Sequence, residues 1–124
     1  MINCDVLLAE DDENLRWILA EALGQAGLKV IQAEDGMAAC KVLQDDPRPN
    51  RLLITDICMP RMDGIDLAQA AIAMDADIRI VMMTGYSDLA MLPANLIERG
   101  VYVLLKPVEL GNLCSLALEL LSRR

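Results

Sequence analysis

Five times along this chain, a short apolar run is followed by a segment whose apolar residues recur at helical spacing. That alternation restricts the fold most, because strands buried on both faces need helices to cover them. It predicts an α/β fold built on a parallel sheet. The apolar runs are Val6 to Ala9, Leu28 to Ala33, Leu52 to Asp56, Ile78 to Met83 and Val101 to Leu105. Lys29 and Gln32 interrupt the second run, which puts it at an edge.

Spacing predicts helices over Asn14 to Ala26, Gly36 to Gln44, Ile65 to Met74 and Leu110 to Leu121. The first carries a stripe of Leu15, Ile18, Leu19, Ala22 and Leu23, and the last carries Leu110, Leu113, Ala117 and Leu120. Trp17 falls opposite the first stripe and is expected to be partly exposed, as a partner anchor or incidentally. Asp12 and Glu13 cap and charge the first helix, Gly27 ends it, and Asp45, Pro47 and Pro49 end the second. Asp63 reads as a turn former with Gly64. The fourth helix is the weakest: Ser87 or Asp88 is its cap candidate, and Pro93 removes a backbone donor. A short, late-starting or broken helix is expected between Asp88 and Arg99, ending at Gly100.

The length of 124 residues suits one domain spanning 1–124. With one Trp, two Tyr and no Phe, the core must be aliphatic and methionine-rich, and Met59 and Met62 read as filling under a loop. No apolar run approaches the roughly 18 residues a membrane-spanning helix needs. The N-terminal MINCDVLLAEDD lacks the basic start of a signal peptide. Cys4, Cys40, Cys58 and Cys114 form no metal-type pair and read as buried or semi-buried thiols of a reducing cytoplasm. The net charge of −8 argues against direct nucleic-acid binding, and a chain without histidine has no His-based triad or general base.

In parallel open sheets, ligands sit beyond the carboxyl ends of the strands. There this sequence places Glu10 and Asp11, then Asp56, then Thr84, then Lys106. Three clustered carboxylates raise one another's pKa or recruit a cation. An oxygen-only set without His or thiolate pairing favours Mg²⁺, with Asp11 and Asp56 as direct ligands and Glu10 through water. The backbone carbonyl of Cys58 is the candidate for a further ligand. Such a metal would orient Asp56 for in-line attack on phosphorus, with Thr84 and Lys106 on the phosphoryl oxygens.

LLAEDDENLR, LLITDICMPRMDG, IVMMTGY and VLLKP resemble the four signature blocks of response-regulator receiver domains, the CheY-like family, in order and spacing along the whole chain. The resemblance implies a (βα)5 flavodoxin-like doubly wound sheet with strand order 2-1-3-4-5. It implies Asp56 as phosphoacceptor, Glu10 and Asp11 as metal-binding acids, Thr84 as switch residue and Lys106 as phosphate-pairing lysine. It makes Lys106–Pro107 a cis-bond candidate. The donor would be a phosphohistidine on a histidine kinase or histidine phosphotransferase. Such a protein is no enzyme beyond catalysing its own phosphorylation and dephosphorylation.

LLAEDDENLRWILAEAL, DGMAA and LLKPVEL add a narrower similarity to CpdR-type single-domain receivers, which implies the unfoldase ClpX as partner and a role in regulated proteolysis. Met1 and the short Ser122–Arg123–Arg124 tail suggest a stand-alone receiver. Two other classes fit part of the pattern. One is a chemotaxis or phosphorelay receiver passing phosphate onward. The other is a haloacid-dehalogenase-type phosphatase, which would want an acid where Cys58 stands. Departures from the family are visible: Val103 occupies the usual aromatic position three before the lysine, with Tyr102 beside it on the opposite face. Thr84 is therefore expected to act through loop and helix-four repacking, and bulky Tyr86 to shield an acyl phosphate.

Overall fold

The computed structural model describes residues 5–47 and 51–122, so the expectations for Cys4, Pro49 and the Arg123–Arg124 tail fall outside the described residues. The elements are β1 (Val6–Ala9), α1 (Glu13–Gln25), β2 (Val30–Ala33), α2 (Gly36–Asp45), β3 (Leu52–Asp56) and α3 (Gly64–Met74), followed by β4 (Arg79–Thr84), α4 (Tyr86–Leu89), α5 (Ala94–Arg99), β5 (Tyr102–Leu105) and α6 (Leu110–Ser122). All strand pairs are parallel and the sheet order is β2-β1-β3-β4-β5. This is the parallel α/β sheet expected from the alternation, in the doubly wound order that the resemblance implied, with β2 at an edge.

Side chains of successive strand residues leave opposite faces of the sheet. Leu7, Ala9, Leu53, Ile80 and Met82 pack on one side with Leu43 of α2, Leu67 of α3 and Leu96 of α5. Val6, Leu8, Leu52, Ile54, Val81 and Met83 pack on the other with Leu19 of α1 and Leu113 and Leu120 of α6. β1 and β3 are buried at every residue, which is why they read as unbroken apolar runs. Val103 joins the first cluster and Tyr102 the second, so the aromatic lies on the face opposite the valine. Met59 and Met62 pack against the first cluster as fillers.

Helix starts are marked by aspartates. Asp12, Asp35 and Asp63 accept hydrogen bonds from the backbone N–H groups of Leu15, Ala38 and Asp66. Each satisfies a donor that the first helical turn leaves free. Asp63 is thus a helix cap, not merely a turn former. Gly27 takes φ 95° and Gly100 φ 93°, the left-handed geometry at the ends of α1 and α5. Pro93 splits the fourth helical segment: α4 stops at Leu89, and Pro93 precedes the first residue of α5. The first piece begins at Tyr86, earlier than expected, and neither Ser87 nor Asp88 caps it; Gly85 is at the cap without a side-chain bond.

Two residues of the expected stripes face solvent: Ile18 on α1 and Leu110 on α6. Ala20 is buried on α1 instead, beside Leu19 and Leu23. The Lys106–Pro107 bond is cis.

Gly64 marks the tightest approach near the site. A Cβ there would lie 1.7 Å from the Asp56 carbonyl oxygen, whereas a Cβ on Gly24 would meet nothing within 4 Å. Gly64→Ala is expected to cost about 2 kcal/mol or more through overpacking, while Gly24→Ala gains about 0.5 kcal/mol from helix propensity. Urea denaturation of both variants checks the contrast; equal stabilities would contradict the close approach.

Candidate functional site

β1 and β3 are neighbours in register, with Ala9 opposite Thr55. The next residue of each chain is therefore Glu10 beside Asp56, at the carboxyl edge of the sheet. One ligand oxygen from each of Glu10, Asp11 and Asp56 lies within 4.8 Å of the others. Glu10 and Asp56 are only 1% and 2% exposed, whereas Asp11 faces solvent. Such a set has oxygen donors alone, is open on the Asp11 side, and suits a hard divalent cation.

Glu10 is held from three sides. Its Oε2 accepts the Asp12 N–H at 3.0 Å, its Oε1 accepts Lys106 Nζ at 3.4 Å, and Arg16 Nη1 donates to its carbonyl oxygen at 2.9 Å. Asp56 has no such support. Lys106 Nζ stands 2.6 Å from its Oδ1 as an ion pair. The pair lacks hydrogen-bond directionality, so both carboxylate oxygens are buried without a hydrogen-bond donor aimed at them. A buried charge in that state is costly.

The protonation pattern follows. Burial, and then the neighbouring Glu10, push the Asp56 carboxyl up to about 8, against the pull of Lys106. Burial also pushes on Glu10, but the hydrogen bonds from Asp56 and the Asp12 N–H, with Lys106, hold it below the usual range. The two neighbouring acids are thus pushed in opposite directions, Asp56 up and Glu10 down. Burial and Glu10 raise Asp11, and Lys106 is raised by Asp56 and Glu10 despite its partial burial.

Thr84 ends β4, buried, and its hydroxyl donates to the Gly85 carbonyl at 3.0 Å. The Lys106 N–H donates to the Thr84 carbonyl at 2.7 Å, tying the ends of β4 and β5 together. The structure therefore brings Glu10, Asp11, Asp56, Thr84 and Lys106 to one edge, as the strand ends required. Cys58 follows Asp56 by two residues in the loop to α3. Its side chain is exposed rather than buried or semi-buried as expected, because the loop turns it away from the core. Tyr86 is 80% exposed, so a shield over Asp56 would need a rearrangement of α4.

The sequence profile of the response regulator receiver domain matches residues 6–118. The chain belongs to this receiver family. The receiver is 43% identical over 108 residues to the response regulator receiver protein CpdR of Brucella abortus (strain 2308), covering 87% of this chain and 88% of that one. It is 32% identical over 92 residues to sporulation initiation phosphotransferase F of Bacillus subtilis (strain 168), covering 74% and 73%. The crystal structure of a response regulator receiver domain protein from Clostridium thermocellum superposes with a TM-score of 0.88 at 20% identity, over 98% of this chain and 96% of that one, a likeness of fold. Receivers of this kind are the signalling modules of two-component systems rather than classical enzymes. No helix of this receiver, among the described residues, is long and apolar enough to cross a membrane.

Sequence reasoning missed the ion pair between Asp35 and Arg61, with Nη2 of Arg61 2.6 Å from Oδ2 of Asp35, and the Arg16 contact to Glu10. The Asp–Gly pair opening α2 was a legible cap signal; nothing local to Arg61 announced its partner.

The raised Asp56 carboxyl has a consequence for stability. The unfolded chain releases this proton near pH 4, the folded one only near pH 8. Across that window the folded state binds more protons, so this group makes stability fall as pH rises. Asp56→Asn stays neutral. In EDTA it is expected to flatten the decline and to exceed the unmutated protein by at least about 1 kcal/mol at pH 8. Urea unfolding at pH 5 and pH 8 measures it, and identical pH profiles would refute the assignment.

Proposed function

We propose that this receiver accepts a phosphoryl group on Asp56, with Mg²⁺ held by Glu10, Asp11, Asp56 and the backbone carbonyl of Cys58, and that phosphorylation switches its binding of a protein partner. The observation that carries this reading is the Asp56 carboxylate itself: two buried oxygens without directed donors, ligand oxygens of Glu10 and Asp11 within 4.8 Å, and one lysine at contact. These residues fit a hard cation, because an oxygen-only acidic set left with excess negative charge is what Mg²⁺ neutralises. Bound there, the ion supplies charge neutralisation for phosphoryl transfer.

The remaining work falls to the chain. Asp56, deprotonated, attacks phosphorus through one oxygen as the phosphorus–nitrogen bond of a phosphohistidine breaks. Lys106 shifts from the Asp56 carboxylate to a phosphoryl oxygen. Thr84 turns its hydroxyl from the Gly85 carbonyl to another. Since phosphoryl transfer needs mostly positioning and charge compensation, no histidine of the chain's own is required. The phosphohistidine donor would be a histidine kinase or histidine phosphotransferase in the cytoplasm. Similarity to CpdR supports ClpX as the downstream partner, and the rotation of Thr84 would reach that partner through Gly85 and α4. The relative named as a phosphotransferase supports a second reading, in which the phosphoryl group passes onward to another histidine protein.

Acetyl phosphate with Mg²⁺ is expected to add one phosphoryl mass to the intact protein and none to Asp56→Asn. Mg²⁺ at about ten times its Kd is expected to stabilise the unmutated protein by about 1.4 kcal/mol. No mass gain and no stabilisation together would defeat the proposal. A pulldown of ClpX with and without beryllofluoride distinguishes a switched adaptor from a relay, which instead returns label to a histidine phosphotransferase.

A further inference from the structure

The loop from β3 to α3 is tied to the sheet at its start and closed on itself at its end. The Ile57 N–H donates to the Met83 carbonyl at 3.2 Å, and the Gly64 N–H to the Ile57 carbonyl at 2.7 Å. Its middle is tied elsewhere. Among the described residues, Arg61 alone is a non-glycine with φ in the left-handed region, at 67°. An ordinary side chain disfavours that backbone, and it persists only where its surroundings impose it.

The Arg61 side chain is held by Asp35, the cap of α2, which is 3% exposed. Its two oxygens divide the work. Oδ1 accepts the Ala38 N–H at 2.8 Å, and Oδ2 takes Nε and Nη2 of Arg61, each at 2.6 Å. Directly beside the pair, Gly36 packs so closely on Met62 that a Cβ there would lie 2.0 Å from the Met62 carbonyl oxygen. The N-terminus of α2 therefore grips the loop at two consecutive residues. Between this grip and the Ile57 anchor lie only Cys58, Met59 and Pro60. A segment so short, fixed at both ends, has few conformations open to it, and its proline removes more.

We propose that the Asp35–Arg61 ion pair is a positioning device for the phosphoryl site, fixing the loop so that the backbone carbonyl of Cys58 is presented to the metal beside Asp56. The inference rests on the proposed function above. Neither Asp35 nor Arg61 touches metal or phosphorus in it; both act through the loop backbone.

The test uses the full chain with Arg61→Asn, Asp35→Asn and the double variant. Asparagine tolerates the left-handed backbone at 61 and keeps a cap acceptor at 35. Mg²⁺ binding is measured by calorimetry, and hydrogen exchange of the loop amides is measured without metal. Each single variant is expected to bind Mg²⁺ about tenfold more weakly and to exchange faster at Cys58 to Met62. The double variant is expected to lose no more than the weaker single, since the pair acts as one unit. Arg61→Lys, which keeps the charge without the fork, is expected to fall in between and serves if Asp35→Asn does not fold. Unchanged binding and exchange in the single variants would overturn the inference alone, as would losses in the double that multiply. If the unmutated protein takes up no Mg²⁺, the proposed function falls and the inference with it.

Discussion

A carboxyl group that is 2% exposed and adjacent to another buried acid has to be compensated or protonated, and the architecture of this chain can be read from that requirement. Two fully buried strands, paired in register, deliver Glu10 and Asp56 side by side. Compensation is unequal: Glu10 receives a backbone N–H and a shared lysine, while Asp56 receives an ion pair and no directed donor. The site is thus left short of positive charge, and burial beside Glu10 raises the Asp56 carboxyl.

The same edge of the sheet collects the starts of α1, α2 and α3, each capped by an aspartate. Helix N-termini carry partial positive charge and favour anions nearby. The caps take up one first-turn N–H of each helix, and the Asp12 N–H goes to Glu10. Stability and reactivity therefore draw on one set of aspartates, sorted by neighbours: Asp12, Asp35 and Asp63 are satisfied by backbone donors, and Asp56 is not.

Most of the fold was legible because strand and helix alternation leaves a coarse apolar rhythm, and because Pro93 and Gly100 act locally on the backbone. The gathering of Glu10, Asp11, Asp56, Thr84 and Lys106 at one edge was legible for the same reason: each ends a strand or follows one within two residues. Legibility ended where burial depends on neighbours far along the chain. Ile18 and Leu110 have the right spacing yet face solvent, since the width of each buried stripe is set by how closely a helix meets the sheet. Asp35 and Arg61 lie 26 residues apart, and no periodicity connects them. Cys58, expected as a buried or semi-buried thiol, is exposed.

Pro93 divides what a continuous fourth helix would join. Beyond it, α5 is bolted down: Leu96 is fully buried and Nη2 of Arg99 donates to the carbonyls of Ala76 and Ile78, at 2.6 and 2.7 Å. Before it, α4 has no buried residue and follows directly on Gly85, whose carbonyl accepts the Thr84 hydroxyl. The Thr84 hydroxyl is thus bonded next to the half of the segment that buries no side chain, while Leu92 anchors the connection to the core and Leu96 and Arg99 anchor the half beyond Pro93. In the switch proposed above, release of the Gly85 carbonyl would be felt first by that single unburied turn.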